Sequence, residues 1–308
     1  MRRFWLGLAA AGALSACGNG NPFLEDTGDT SEPGDTASIV PAEVAGDVDR
    51  ISYNSATQTL VISGVGLDET PFSSSYVRKP ALDRGGYEAY TVQDSSLDRH
   101  STAYVREIEG GYAVAVATGG QFGYFMAGTD FGRSGNYSAP TADQPSGGIV
   151  SYAGSYVGLL DEPGDGGDLL PVAPGTPDEV RPVQAAEITG DAFINADFSD
   201  NRVNGTIYNR QITDYPGTTV ETLLLAPTDI TGEGTFSGEV ATQDDGEPGS
   251  VGTYAGIFAG ENAASVAGSL YAKDHIEAAG SGIEEYGVFV LGQCGGANSD
   301  PVCDQPVP

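Results

Sequence analysis

The sequence predicts an all-β protein: a C-terminal eight-stranded antiparallel up-and-down barrel, preceded by a small antiparallel β-sheet domain. Three observations predict it. The 308 residues include 45 Gly and 18 Pro beside 15 Tyr and 11 Phe, a composition of short strands and tight turns. Apolar and polar residues alternate in short runs from Arg50 onward. Over 148–293 such runs recur at even spacing with no helical pattern between them, which favours consecutive hairpins closing into a barrel over a sandwich.

The charge balance excludes whole classes of function. Against 43 Asp+Glu stand 13 Lys+Arg, a formal net charge of -30. Such a chain is repelled by phosphate backbones and anionic lipid surfaces, so neither nucleic-acid binding nor polybasic membrane docking is expected. The length suffices for one large domain or two modest ones without staples.

In chain order, Met1-Arg2-Arg3 is a positive start and Phe4–Ala13 an apolar stretch too short to span a bilayer, which together read as a secretory signal. Leu14-Ser15-Ala16-Cys17 then resembles the lipobox of bacterial lipoproteins. The resemblance implies a signal peptide over 1–16, diacylglyceryl (palmitate-type) lipidation of the Cys17 thiol, and acylation of the new amino terminus. Acyl chains contribute about 0.8 kcal/mol per buried methylene, so several make a durable anchor. Gly18 is compatible with sorting to the outer membrane, and whether the anchor faces the cell surface is left open by the sequence. Residues 17–49 lack Lys and Arg and gather eight acids among Gly, Ser, Thr and Pro, the pattern of a flexible acidic tether.

Residues 50–133 form the small β domain. Strands are expected at Arg50–Asn54 and Thr59–Ser63 around a Ser-Ala-Thr-Gln turn, then at Tyr87–Val92, Thr102–Ile108, Tyr112–Ala117 and Phe122–Ala127, with Glu109-Gly110-Gly111 the clearest turn. Residues 134–147 read as a linker. The barrel, 148–293, has strands at Ile149–Leu160, Ala186–Phe198, Arg202–Arg210, Val220–Ala226, Thr235–Ala241, Thr253–Ala259, Ala264–Tyr271 and Ile283–Gly292. In the third, Val203, Gly205 and Ile207 share one face. In the last, both faces are partly apolar. The stretch Asp161–Arg181, with six acids, is a long loop at one rim. With Cys17 lipidated, Cys294 and Cys303 remain in the 294–308 tail, and an exported chain makes a disulfide between them the default. Their eight-residue gap and the lack of a nearby His do not fit zinc spacings.

Particular residues carry a family resemblance. Ala196-Asp197-Phe198-Ser199-Asp200-Asn201-Arg202-Val203-Asn204-Gly205-Thr206-Ile207, then Phe236-Ser237-Gly238, then the run from Gly252-Thr253-Tyr254 through Ala267-Gly268, are similar in order to motifs of transferrin-binding-protein-B-type barrel lipoproteins. The resemblance implies a single handle-plus-barrel lobe, lipid-anchored, that presents loops to a partner in nutrient or iron acquisition or immune evasion. The chain departs from the motif at Phe258-Ala259-Gly260-Glu261 and at Ala264, and it has room for one lobe where paired-lobe members carry two. Transferrin binding is therefore not implied. Read physically, Asp200-Asn201 closes a hairpin, Gly205, Gly256, Gly260 and Gly268 leave room for bends or rings, and Phe198, Phe236 and Phe258 are core.

Chemistry is sparse. His100 and His275, each with an Asp one or two positions away, read as exposed loop histidines, since neither a Gly-x-Ser-x-Gly elbow nor a His-x-x-x-His pair accompanies them. Haem ligation by His275 is a sharper alternative, but Met126 lies in the other unit. The run Asp161-Glu162-Pro163-Gly164-Asp165-Gly166-Gly167-Asp168 could wrap calcium but lacks an EF-hand register, so a solvated loop is the favoured reading; the same holds for Asp244-Asp245-Gly246-Glu247. The expectation is a non-enzyme without catalytic residues, metal or cofactor, which captures an unidentified protein or nutrient ligand at its barrel rim. The alternatives are a structural or protective envelope lipoprotein, and a carrier or hydrolase that uses the barrel cavity.

Overall fold

The computed structural model describes residues 39–65, 71–121, 124–141, 148–218, 220–242, 249–276 and 282–306. Cys17, the signal segment, most of the tether and the Asp244–Glu247 turn lie outside the described residues.

One helical turn, α1 (Ala42–Ala45), leads into seven antiparallel strands in consecutive order: β1 (Val48–Asn54), β2 (Thr59–Val65), β3 (Pro71–Arg78), β4 (Glu88–Val92), β5 (Ser101–Ile108), β6 (Gly111–Thr118) and β7 (Ala127–Arg133). The sheet curls until its start returns to its end: Asp47 N donates to Ala127 O at 2.9 Å, and Ala127 N to Asp47 Oδ2 at 3.1 Å. Leu60, Ile62, Tyr76, Tyr90, Val105, Val114 and Val116 fill the inside of the curl.

Three boundaries differ from the sequence expectation. Val40 and Val44 are buried and α1 lies against β7, so the chain joins the fold before Arg50 and residues 39–49 are not free tether. Strand β3 was hidden because Ser73, Ser74 and Ser75 erase the apolar alternation. The strand expected at Phe122–Ala127 begins where it was expected to end. Ala127 and Phe131 face the core at four-residue spacing with the polar Thr129 between them, while Gly128 and Gly132 leave those positions of the opposite face without side chains.

The barrel closes from β8 (Ile149–Pro163), β9 (Ala185–Asp197), β10 (Arg202–Ile212), β11 (Leu223–Asp229), β12 (Thr235–Thr242), β13 (Gly249–Ala259), β14 (Ser265–Lys273) and β15 (Glu284–Gln293), all antiparallel. The last strand pairs with the first, with Val288 opposite Val157 and Gly287 opposite Gly158. All eight expected strands are present.

Side chains fill the cylinder, as expected when eight strands set its width. Tyr152, Ile194, Val203, Ile207, Phe236, Tyr254, Phe258, Leu270 and Phe289 belong to one buried cluster. The Phe258 ring lies 4.9 Å from that of Phe198, 5.3 Å from Phe236 and 5.5 Å from Tyr152. Glycines seat these rings. A methyl at Gly256 would stand 2.4 Å from Cζ of Phe236, and one at Gly268 2.4 Å from Cζ of Phe289, so a side chain on the neighbouring strand would displace the aromatic. At Gly260 the reason is conformational instead: φ is +78° in the turn after β13.

The curled sheet packs on the outer wall of the barrel. Tyr87, Tyr104, Ala113, Ala115 and Phe131 meet Val157, Leu159, Ile257, Val288 and Val290. That contact explains why both faces of β15 are apolar: Phe289 and Leu291 point inward, while Val288 and Val290 are covered by the sheet. Residues in the expected linker also pack, with Tyr137 bridging in parallel to Gly260 and the Arg133 guanidinium 4.7 Å above its ring. Cys294 and Cys303 form the disulfide, and Val302 inside its loop packs on Ala153 and Tyr208 of the barrel wall.

Candidate functional site

The upper end of the barrel, where β8 ends and β9 begins, holds a buried charge cluster. At β10 the register shifts between Tyr208 and Gln211, with Asn209 at φ 51°, and this irregularity turns Arg210 inward where strict alternation would place Asn209. Glu285 enters from the start of β15 and His275 from the β14–β15 connection, and the side chains of all three have 0% exposure. Arg210 Nη2 pairs with Glu285 Oε2, and its Nη1 donates to Glu221 O at 2.6 Å. Tyr156 donates its hydroxyl to Glu285 Oε1 at 2.5 Å.

His275 Nε2 lies 2.7 Å from Glu285 Oε2 and 3.0 Å from Arg210 Nη2. A guanidinium only donates, so one ring nitrogen cannot bond both neighbours as neutral partners. Donation to the carboxylate satisfies the shorter contact and leaves Nδ1 buried without a partner among the described residues. Burial pushes the Glu285 carboxyl up, but the Arg210 charge and the bonds from His275 and Tyr156 outweigh it and hold it at about 2. The Tyr156 hydroxyl is pushed well above its ordinary value by burial and by Glu285. The carboxylate is thus locked ionised and the phenol locked protonated, the opposite of groups poised for proton transfer near neutrality.

His275 is therefore not an exposed loop residue, and its ring is enclosed between an arginine and a glutamate instead of standing open at the mouth for a haem iron. His100 is corrected in the same way. Its side chain is 0% exposed, and Nε2 stands 3.0 Å from Asp168 Oδ2. Asp168 also accepts from Lys79 Nζ at 2.8 Å and from Thr91 Oγ1 at 2.7 Å. The acidic stretch expected to be a solvated loop or a calcium wrap thus spends its carboxylates on the protein itself. Asp161 accepts from Glu284 N at 2.8 Å, Asp165 from Gly167 N at 2.8 Å, and Asp168 ties the loop to the sheet. Among the described residues no group of three or more His, Cys, Asp or Glu is placed to hold a metal ion.

Among the described residues, open cavities outside the barrel interior include two of similar size. One, about 640 Å³, lies beside the end of β10, lined by Asn209, Arg210, Gln211, Thr218, Val220 and Thr222. The other, about 650 Å³, separates the sheet from the disulfide loop, with Tyr53, Glu88, Arg106 and Glu109 on one side and Asn298 and Asp300 on the other. Across it Asn298 Nδ2 donates to Glu109 Oε1 at 2.6 Å, and Arg106 lies 5.3 Å over the ring of Tyr87.

Sequence reasoning missed Arg210, Glu285, Tyr156 and Asp168 as a set. For Glu285 there was a signal: it shares the inward parity of Gly287 and Phe289, so a lone acid pointed into the core. Arg210 gave none, because the irregularity at Asn209 reverses its parity.

No family model matches the sequence, and no curated protein matches it. Among solved structures the chain is similar to intact Ap-TbpB (N and C lobes), at 14% identity and TM-score 0.37, over 76% of this chain and 52% of that one. It is similar also to a double mutant of the vaccine antigen transferrin-binding protein B from Haemophilus parasuis Hp5, at 13% identity and TM-score 0.40, over 76% and 51%. A third is the isotype 1 transferrin-binding protein B from serogroup B Neisseria meningitidis, at 12% identity and TM-score 0.35, over 81% and 52%. The chain spans about half the length of these proteins.

Proposed function

We propose that this chain is a non-catalytic binding lipoprotein of the bacterial outer membrane. It is anchored through lipidated Cys17, and it captures a protein or iron-related ligand through loops at the barrel rim. The observation that carries the reading is the filled barrel. Tyr152, Phe236, Tyr254, Phe258 and Phe289 occupy the middle and the Arg210–Glu285 cluster occupies the upper end, so recognition falls to the outer surfaces and rims. That observation also weighs against a small-ligand carrier or a hydrolase working from the barrel cavity, since ligand sites of that kind are open concavities with a few convergent polar groups. Loops displayed on a rigid scaffold are the usual carriers of such binding.

The test immobilises residues 18–308 by the amino terminus, as a lipid would, and measures capture of iron-loaded host transferrin, other iron carriers and growth-medium proteins. Saturable capture of one species supports the reading. Absence of any saturable partner, together with an envelope defect on deletion, supports a protective envelope lipoprotein instead. Palmitate labelling abolished by Cys17→Ser, and protease shaving of intact cells, test the anchor and its surface exposure separately.

A further inference from the structure

The connection from β8 to β9, residues 164–184, runs from the upper barrel end across to the curled sheet as a strap. Its attachment is specific. Asp168 sits among Lys79, Thr91 and His100 of the sheet domain, Leu170 N donates to Gln93 Oε1 at 2.8 Å, and Gln121 Nε2 donates to Val180 O at 3.0 Å. Behind it, Asp168 N donates to Gln184 Oε1 at 3.0 Å, which orients the carboxylate toward the sheet.

His100 is the group whose protonation this geometry opposes. Its Nε2 is committed to Asp168, so as a neutral ring it donates there and keeps a lone pair on Nδ1. Nδ1 is buried and has no partner among the described residues. A second proton must go to Nδ1, which would leave an N–H buried without an acceptor. The charged groups facing the ring are Asp168 on the strap and Lys79 ahead of the 3-10 turn Pro80–Leu82; Thr91 and Gln184 are the neutral groups that complete the pocket around the carboxylate. The Lys79 ammonium already answers one oxygen of Asp168, so a second cation gains less from the same carboxylate.

We propose that His100 and Asp168 form an acid-released clasp, which fastens the strap to the sheet near neutral pH and lets it go in mildly acidic surroundings. The sign follows from linkage. Burial lowers the His100 pKa below its ordinary 6.5, with Lys79 adding to the effect and Asp168 working against it. Release returns the ring to water, so the open strap binds a proton that the closed strap refuses. Closure is therefore fully favoured above about pH 6.5 and weakens below it, with the open fraction rising by up to about tenfold per pH unit. Asp168 does not titrate in this window. Although burial raises it, its bonds to His100, Lys79 and Thr91 hold it below the ordinary carboxylate value.

Hydrogen–deuterium exchange of the full chain tests the clasp, with protection in 164–184 corrected for intrinsic exchange and compared at pH 7.5 and pH 5.0. The expected result is a severalfold loss of protection in the strap, with 286–291 of the barrel unchanged. His100→Gln retains an amide donor for Asp168 but cannot titrate, and its strap should hold equally at both pH values. Asp168→Asn should be open at both. Equal wild-type protection at the two pH values, or an undiminished pH response in His100→Gln, overturns the proposal. Nitrogen-15 histidine NMR of the unmodified protein is the check that needs no variant. His100 must be the Nε2–H tautomer at pH 7.5, and its second protonation must coincide with strap opening. Protonation without opening overturns the proposal as well.

Discussion

The hydroxyl of Tyr87 accepts a hydrogen bond from the backbone nitrogen of Val290 at 2.9 Å, inside a gap in the barrel ladder. Strands β8 and β15 are in register through Phe289 opposite Tyr156 and resume at Gly292 opposite Ala153, and the intervening pairs are open. Tyr87 reaches from the sheet into that opening and also donates to Ser155 O at 3.1 Å. A side chain of one unit thus completes the backbone hydrogen bonding of the other, and the apolar packing around it keeps water from replacing it.

Tyr87→Phe keeps the ring and removes this link, leaving buried backbone groups unpaired. Urea unfolding should show a loss of about 2 kcal/mol. An unchanged midpoint would mean that the ladder gap closes or hydrates without the hydroxyl.

Gly268→Ala tests the seating of rings on glycines. The added carbon would lie 2.4 Å from Phe289 Cζ and 2.5 Å from Ala255 O. Thermal unfolding should report a destabilisation of about 2 kcal/mol. Combining it with Phe289→Leu should recover only part, because the carbonyl of Ala255 cannot move aside as a ring can.

The buried pair sets the acid limb of stability. Glu285, ordinarily at 4.5, is held at about 2 in the folded chain. A depressed acid contributes stability that is complete above about pH 4.5 and is lost as pH falls toward 2, here roughly 3 kcal/mol. Glu285→Gln should cost about 3 to 5 kcal/mol at neutral pH by leaving Arg210 buried and unpaired, and should flatten the unfolding profile between pH 4.5 and 2. A wild-type slope retained in the variant would contradict the assignment.

Asp130 has the opposite sign. Burial raises its carboxyl from 3.8 to about 6, against a bond from Phe131 that lowers it. Its stabilising state is the protonated one, present below about pH 3.8 and lost as pH rises through 6. Asp130→Asn should therefore raise stability at pH 7 by about 1 to 2 kcal/mol, less than the full shift implies because the side chain is partly exposed, and should do little at pH 3.5. Paired denaturant curves at the two pH values decide it.

How much of this was legible depends on which residues carried the signal. The hairpin at Asp200-Asn201 and the ring-seating glycines at 256 and 268 were readable, because turn chemistry and missing side chains act locally. β3 was not, since a serine run has no apolar period to read. Nor were the histidine environments: His100 and His275 lie among polar neighbours in sequence, and only residues 68 and 10 positions away, Asp168 and Glu285, bury and pair them.

The sequence by itself determined the all-β class and the eight barrel strands, because strand alternation and turn residues report a backbone's local demands, and the cysteine count pointed to the pairing of Cys294 with Cys303. Tertiary structure alone decided that the sheet docks on the barrel wall, that Arg210 faces inward, and that Asp168 of the acidic connection bonds to the sheet. Each of these turns on which distant residues meet, and a single irregularity at Asn209 is enough to reverse a side chain from solvent to core.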